Sequence, residues 1–466
     1  MSSGTVTDER GAMVRSWKRG VVLLGFMAGL QSAGAQQFVL PQTLAVSNRD
    51  RIFPGLYEFS EAGAVVARVR DASATWYNPA GLALSERTTF NVSSAAYQLT
   101  ILGSANAPAE FTRTASFQPI PSALGVAFGK EVLEWHGLRL GLGIHSQANW
   151  DSSVRLESNP SPDTRVSYVM KSLFRSTVFT AGAGWALDPR FRFGAALLFD
   201  YTETGDVGQT SADTQDGTAL QTVIQSLDFS GNTLHLMATL GAQAEPLPWL
   251  SLGLVVQTPG IALAHGGTVR YEAQTSTLQT HSLALIDDSN AEFDLRKTFK
   301  ATLGIGVRFW KIELEGDLRW YPASATYTLF ATSVPIQITT QLPGQAPVVT
   351  EEQFASIAFA TRQVWSGSIG LQLRLSELVT FHGGFYLDPS PLGTAVNGVF
   401  QRADFAGFRG GVSFTARQGL SGSVSLGYER GTADTTVAVG GLAVTPLPVE
   451  ISFTTFNVSF AIGYKF

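Results

Sequence analysis

The sequence predicts an all-β fold: a transmembrane antiparallel β-barrel of about 14 strands with an N-terminal hatch, or plug, inside the lumen. Three observations predict it. From Thr88 to the C-terminus, large apolar residues alternate with small or polar ones, the period of strands whose successive side chains face opposite sides. Only 15% of residues are charged and 47 are glycine, against about 25% charged in soluble domains; yet no window holds roughly 18 consecutive apolar residues, so no spanning helix is expected. Finally, the connections alternate between short and long, the asymmetry of outer-membrane barrels.

The N-terminus reads as an export signal over residues 1–35. Arg15, Lys18 and Arg19 form a basic region, Val21 to Leu30 a short apolar run, and Ala33-Gly34-Ala35 a cleavage site. The mature chain then starts at Gln36, and Met13 is a possible true start. The competing reading, a membrane anchor, needs a longer apolar run. The absence of Cys suits an exported protein that does not rely on disulfides. A net charge of −5 gives no reason to expect nucleic acid.

Residues 36–87 form the expected hatch. Phe53, Leu56, Tyr57 and Phe59 cluster early in it, and Ala62 to Ala67 is small and apolar. The stretch Asp71 to Leu82 then fits neither helix nor strand period. Asn78-Pro79 is a turn signal, because the residue before proline is pushed out of the helical region. Gly81 is expected to supply a backbone conformation closed to other residues.

Residues 88–466 form the expected barrel. The strands are read at 88–98, 122–131, 137–150, 172–186, 190–203, 232–244, 248–257, 297–309, 311–322, 363–375, 377–388, 404–416, 419–431 and 453–466. The last is the clearest: Phe456, Val458, Phe460, Ile462, Tyr464 and Phe466 share one face, with small and polar residues on the other. In a membrane barrel the large face meets lipid and the polar face the lumen. Short turns are expected at Asp188-Pro189, Pro246-Leu247-Pro248, Trp310, Ser376 and Arg417-Gln418-Gly419. Long outer loops are expected at 99–121, 151–171, 204–231, 258–296, 323–362, 389–403 and 432–452. Trp150, Trp249, Trp310, Trp320 and Tyr428 near strand ends suit interfacial girdles. Both termini then lie on the short-turn side.

The face Glu313, Glu315, Asp317 and Arg319 carries four ionisable residues opposite an apolar face, which points to a wet or internally paired lumen. Arg139, Arg192, Arg308, Arg319, Arg374 and Arg409 all fall on polar strand faces. Each either pairs with a lumen carboxylate such as Glu313, Glu315, Asp317 or Asp200, or meets an anionic ligand. In 204–231, Leu220, Val223, Ile224 and Leu227 have helical spacing, so a short amphipathic loop helix is expected, serving capture or packing on the rim.

Phe59-Ser60, the small apolar stretch, Asp71-Ala72-Ser73 and Asn78-Pro79-Ala80-Gly81-Leu82, followed directly by a first strand, resemble the N-terminal hatch of the FadL/TodX family of outer-membrane transporters. Phe385 to Pro391 resembles that family's Asp-x-Ser-Pro stretch late in the barrel. The resemblance runs from about residue 53 to 466. It implies a monomeric, hatch-closed barrel in the bacterial outer membrane that takes up hydrophobic small molecules, above all long-chain fatty acids. Loops 204–231 and 258–296 would capture the ligand, the barrel would hold it, and the hatch would gate its release, in part sideways into the bilayer. The terminal Phe466 resembles the signal read by the barrel-assembly machinery. No cofactor and no metal site is expected, since no metal-ligand spacing occurs. The rivals are a general porin, which needs no hatch, an adhesive barrel, and an outer-membrane enzyme using lumen-facing His145, for which no nucleophile motif such as G-x-S-x-G occurs.

Overall fold

The structure, a computed structural model, describes residues 48, 51–104, 115–132, 137–161, 163–216, 219–353, 356–393, 402–416, 419–437 and 447–466. The export signal lies outside the described residues, as do Arg417 and Gln418.

Fourteen antiparallel strands close into a barrel. In order around the wall they are β1 (Thr89–Ser104), β2 (Ala115–Ala127), β3 (Leu138–Ser161), β4 (Thr164–Ala186), β5 (Phe191–Asp216), β6 (Ala219–Leu247), β7 (Leu250–Gln257), β10 (Lys300–Phe309), β11 (Ile312–Tyr321), β16 (Val364–Arg374), β17 (Val379–Asp388), β18 (Asp404–Thr415), β19 (Leu420–Val437) and β20 (Leu447–Lys465). β20 pairs back onto β1, Thr89 opposite Lys465. Each expected strand coincides with one of these. Each of the fourteen pairs with a neighbour on either side over at least part of its length, which lets such a sheet sit in lipid. The outward faces carry Phe193, Leu197, Phe199, Leu426, Phe460 and Ile462, all exposed. Such a belt, wrapped around a polar interior, is what a bilayer-spanning barrel requires.

The expected outer loops are largely strand instead. β5 has 26 residues and β6 has 29. At about 3.3 Å per residue and a tilt near 45°, they rise roughly 60 Å, about twice the hydrocarbon thickness. The β5–β6 hairpin pairs without a break from Phe191↔Ala244 to Asp216↔Ala219. The loop helix expected over Leu220 to Leu227 is therefore absent. Val223 and Leu227 point inward, while Leu220 and Ile224 are exposed, the alternation of a strand. Six further strands continue the outer part: β8 (Ile261–Thr277), β9 (His281–Phe293), β12 (Tyr327–Ala331), β13 (Ile336–Gln341), β14 (Val348–Glu352) and β15 (Ile357–Phe359). β8 takes over from β7 along upper β6, and β9 and β13 extend that sheet. β12 pairs with β15 and β9 as a small separate sheet.

Among the described residues, the largest apolar cluster lies inside this outer extension. Trp150, Phe229, Phe293, Phe330, Phe405 and Phe453 are all buried there, in edge-on and tilted ring contacts such as Phe229–Phe330 at 4.9 Å. Trp150 is thus no girdle residue. A register shift between Ser146 and Ala148 inverts the alternation above it, and a one-residue slip turns a side chain to the other face. Trp249 and Trp310 are exposed at the short-turn end, as a girdle requires. The turn expected at Pro246-Leu247-Pro248 sits two residues later, since β6 runs through Leu247.

Candidate functional site

Residues 51–87 join no strand. They fold inside the barrel and are almost wholly buried. Their ordered elements are a four-residue helix α1 (Ala74–Tyr77) and a 3₁₀ turn (Pro79–Leu84). Asn78 sits between them in extended backbone, and its Oδ1 accepts from Ala80 N at 3.1 Å, with Pro79 at the first position of the turn. Its Nδ2 donates to Val66 O at 2.9 Å and to Ala242 O of β6 at 3.0 Å. Asn78 therefore caps the turn, braces the plug's own chain and ties it to the wall. Gly81 adopts no left-handed conformation. Its role is a close approach, since a Cβ there would run into Val69 O. Pro79 and Ala80 lie against β4 and β5, where Gly184 and Gly194 carry no side chain.

That contact repeats around the lumen. A Cβ on Gly253 of β7, Gly304 of β10, Gly370 of β16 or Gly384 of β17 would meet plug atoms within 3.0 Å. Bare lumen glycines thus form a collar that admits the plug's backbone directly against the wall. The high glycine count has part of its explanation here.

The plug's polar seam faces β11, β16 and β17. Arg68 donates Nε to Glu315 at 2.7 Å and Nη2 to Glu61. Ala67 N donates to Glu315 at 2.6 Å, and Val65 N to Asp317 at 3.1 Å. Arg319 Nη2 donates to Gly63 O at 2.9 Å. Glu61 also meets His382 Nδ1 and Gln372 Nε2, each at 2.6 Å. The ionisable face of β11 is therefore a berth for the plug. A second knot joins Arg51, Arg409, Tyr386 and Glu429. On the far side Glu58 and Asp71 both contact Ser73; burial and the neighbouring Asp71 charge push the Glu58 carboxyl up to about 8.

The six arginines expected on the lumen face all lie at the plug or toward the short-turn end. Arg139 donates to Ser85 O, Arg192 pairs with Glu245 at 2.6 Å, and Arg409 pairs with Glu429 at 3.1 Å. Arg308 and Arg374 flank Glu313, at 2.7 and 3.7 Å. Leu220, Val223, Ile224 and Leu227 lie far up the extension. Sequence reading missed Arg51, Arg68, Lys297 and Trp76. Arg68 carried one signal, a cation directly following the small apolar stretch Ala62–Ala67.

Above the plug lies a cavity with about 730 Å³ of empty space, part of it open to solvent. Phe174, Met237, Leu295 and Phe359 supply apolar walls, and Arg296, Lys297 and Lys300 supply cations. Lys297 Nζ lies 2.8 Å from both Asp200 Oδ2 and Thr202 Oγ1. Trp76 of the plug packs against Met237, Leu198 and Val178, and Met237 lines the cavity, so the plug lies one side chain beneath it.

The cavity also touches a seam in the wall. Among the described residues β2 and β3 pair over only five positions, ending at Ala123↔His145. Above that point β2 continues on β1 and β3 on β4, but not on each other. Two prolines, 119 and 121, lie on this stretch of β2 and cannot donate to a ladder. Gln147 and Ala148, just past the last pair, line the cavity. His145 bonds Thr75 of α1 at 3.2 Å and lies 5.4 Å from the Trp76 ring in a tilted contact. Cavity, seam and plug thus meet at one place.

No protein-family model and no curated protein matches the sequence. Solved structures do. A Pseudomonas aeruginosa FadL homologue superposes with TM-score 0.57 at 12% identity, covering 92% of this chain and 100% of that one. The Ralstonia pickettii toluene transporter TbuX gives 0.55 at 14%, covering 89% and 99%. The P. putida toluene transporter TodX gives 0.57 at 11%, covering 90% and 99%. The chain shares their fold over nearly its whole described length.

Proposed function

We propose that this chain, built on the fold of the FadL homologue and the toluene transporters, is a bacterial outer-membrane channel for the uptake of hydrophobic small molecules. The observation that carries the reading is the meeting of cavity, wall seam and plug. A ligand drawn out of water by apolar burial, worth about 25 cal/mol per Å², passes the aromatic outer core and settles in the cavity. From there it leaves mainly sideways between β2 and β3, with a minor share passing downward when the plug moves. Both routes are hatch-linked, because Trp76 packs under the cavity-lining Met237 and beside His145 at the seam. Residues 1–35 serve as the export signal, residues 51–87 are the working part of the hatch, and the strand ending at Phe466 is presented to the assembly machinery.

The cations on the cavity wall favour a long-chain carboxylic acid over a bare hydrocarbon. Lys297 receives the carboxylate in place of Asp200, and the six lumen arginines serve the exit half of the path, beyond the plug. Lys297→Met is expected to weaken binding of a fluorescent long-chain fatty acid to the purified protein by about 10- to 100-fold, the worth of a charge-assisted hydrogen bond, and to leave toluene uptake unchanged. Equal affinity in variant and wild type would remove the acid from the reading; equal loss for both solutes would mean that the cavity had collapsed.

Asn78→Ala removes a cap worth about 1 kcal/mol and two ties to neighbouring carbonyls. Uptake should change several-fold in cells, while the heat-modified gel mobility of the barrel stays as in wild type. Parallel loss of both would make Asn78 a folding residue only.

A further inference from the structure

Ser73 Oγ lies within hydrogen-bond reach of Glu58 Oε1 and of Asp71 Oδ1 at once. A serine hydroxyl has one proton and can donate to only one carboxylate. The other contact needs a second proton, carried by a carboxyl group that donates to the serine oxygen. The surroundings say which. Asp71 also accepts from Ser73 N at 3.0 Å and from Asn91 Nδ2 of β1 at 2.6 Å. Besides Ser73, Glu58 has the backbone N–H groups of Tyr57, at 2.9 Å, and of its own residue, with no side-chain amide such as Asn91 gives Asp71, and Glu58 is fully buried. Asp71 is the better-supplied anion, so Glu58 holds the proton.

The charged and titratable groups facing this site are few. Tyr57 faces it from the plug, with Glu61 and Arg68 beyond Tyr57. Arg68 is engaged by Glu61 and Glu315. From the wall, β17 brings His382, stacked on Tyr57 at 5.4 Å and bonded to Glu61; β1 brings only the uncharged Asn91 and Ser93. No cation among the contacts of Glu58 offsets a second negative charge.

We propose that the Glu58–Ser73–Asp71 bridge is a pH-sensitive latch, closed by the Glu58 proton, whose loss sets two like charges against each other and loosens the plug. The latch joins the plug's first turn to the stretch leading into α1, and through Asn91 to the first strand. It rests on the reading of residues 51–87 as a movable hatch. The sign is fixed by linkage. A carboxyl held above its ordinary value in the seated plug favours seating fully below the ordinary value, and that contribution is lost as pH rises through the raised one. With Glu58 raised from 4.5 to about 8, the plug loosens across that window as pH increases.

The chain has no Cys, so Val66→Cys on the buried plug gives a single reporter thiol. Its rate of modification by a water-soluble maleimide is measured in the liposome-embedded protein from pH 5 to pH 9. Each rate is divided by that of the same reporter in Glu58→Gln, which keeps a donor for Ser73 and cannot ionise; the division cancels the thiol's own pH dependence. The ratio should rise at least about tenfold across the range. A flat ratio overturns the latch. If Glu58→Gln does not give a folded barrel by heat-modified mobility, Asp71→Asn, which removes the opposing charge, replaces it with the same expectation. Uptake of a fluorescent fatty acid is followed in parallel. A rising ratio with pH-independent uptake keeps the latch and removes the hatch as gate. A flat ratio, with uptake that stops when the plug is tethered to the wall, keeps the gate and removes the latch.

Discussion

Arg68→Ala is expected to release the plug while the barrel stays folded. Arg68 is the plug's one cation between Glu61 and Glu315, both fully buried, with Glu313 3.9 Å from its Nη1. Breaking a buried pair from one side costs about 3–5 kcal/mol, because the remaining charge stays in low dielectric without compensation. Here two carboxylates are left, one on the plug and one on the wall. The cost falls on seating rather than on the wall, whose ladders from β10 through β16 do not involve Arg68. Planar bilayers should show a steady current absent from wild type, with unchanged heat-modified mobility. A closed channel in the variant would mean that the carboxylates are satisfied without Arg68.

The second large effect comes from two adjacent glycines of β17. A Cβ at Gly384 would overlap the plug backbone at Glu61 and Ala62, whereas one at Gly383 would meet nothing within 4 Å. Overpacking typically costs about 1–3 kcal/mol. It should exceed that here, because backbone meets backbone and no side chain can yield. Valine suits a strand, so the wall itself should tolerate either change. Gly384→Val is expected to expel the plug and raise bilayer conductance at least about tenfold, and Gly383→Val to behave as wild type. Like behaviour of the two variants would count against the collar.

The fourteen crossings were legible because lipid on one side and lumen on the other impose a strict period of two. Above the membrane that contrast fades. From Thr204 to Asp216 both faces of β5 are polar or small, so the strand reads as loop. Apolar residues on both faces of β6 counterfeited a helix: Val223 and Leu227 point in, Leu220 and Ile224 point out, and the four positions together fit i, i+3, i+4, i+7. Trp150 was misplaced because the slip near Ser146 leaves no mark in the sequence. In the candidate site, the Asn78-Pro79 turn was plain, but the wall partners of Arg68 and Lys297 lie far off in sequence, Glu315 for one and Asp200 and Thr202 for the other. The glycine collar left a trace that could have been followed, since Gly184, Gly194, Gly253, Gly304 and Gly370 all fall on lumen-facing positions.

On the proposed function, ligand leaves the cavity mainly through the β2–β3 seam under control of the plug. Ser122→Cys with Gln147→Cys, one residue on each side just above Ala123↔His145, gives a chain with no other thiol. A bifunctional maleimide can then seal the seam in the folded protein. Uptake of a fluorescent long-chain fatty acid should fall at least about tenfold on bridging and stay at the wild-type level when a monofunctional reagent is used instead. Undiminished uptake through the bridged barrel would contradict the account.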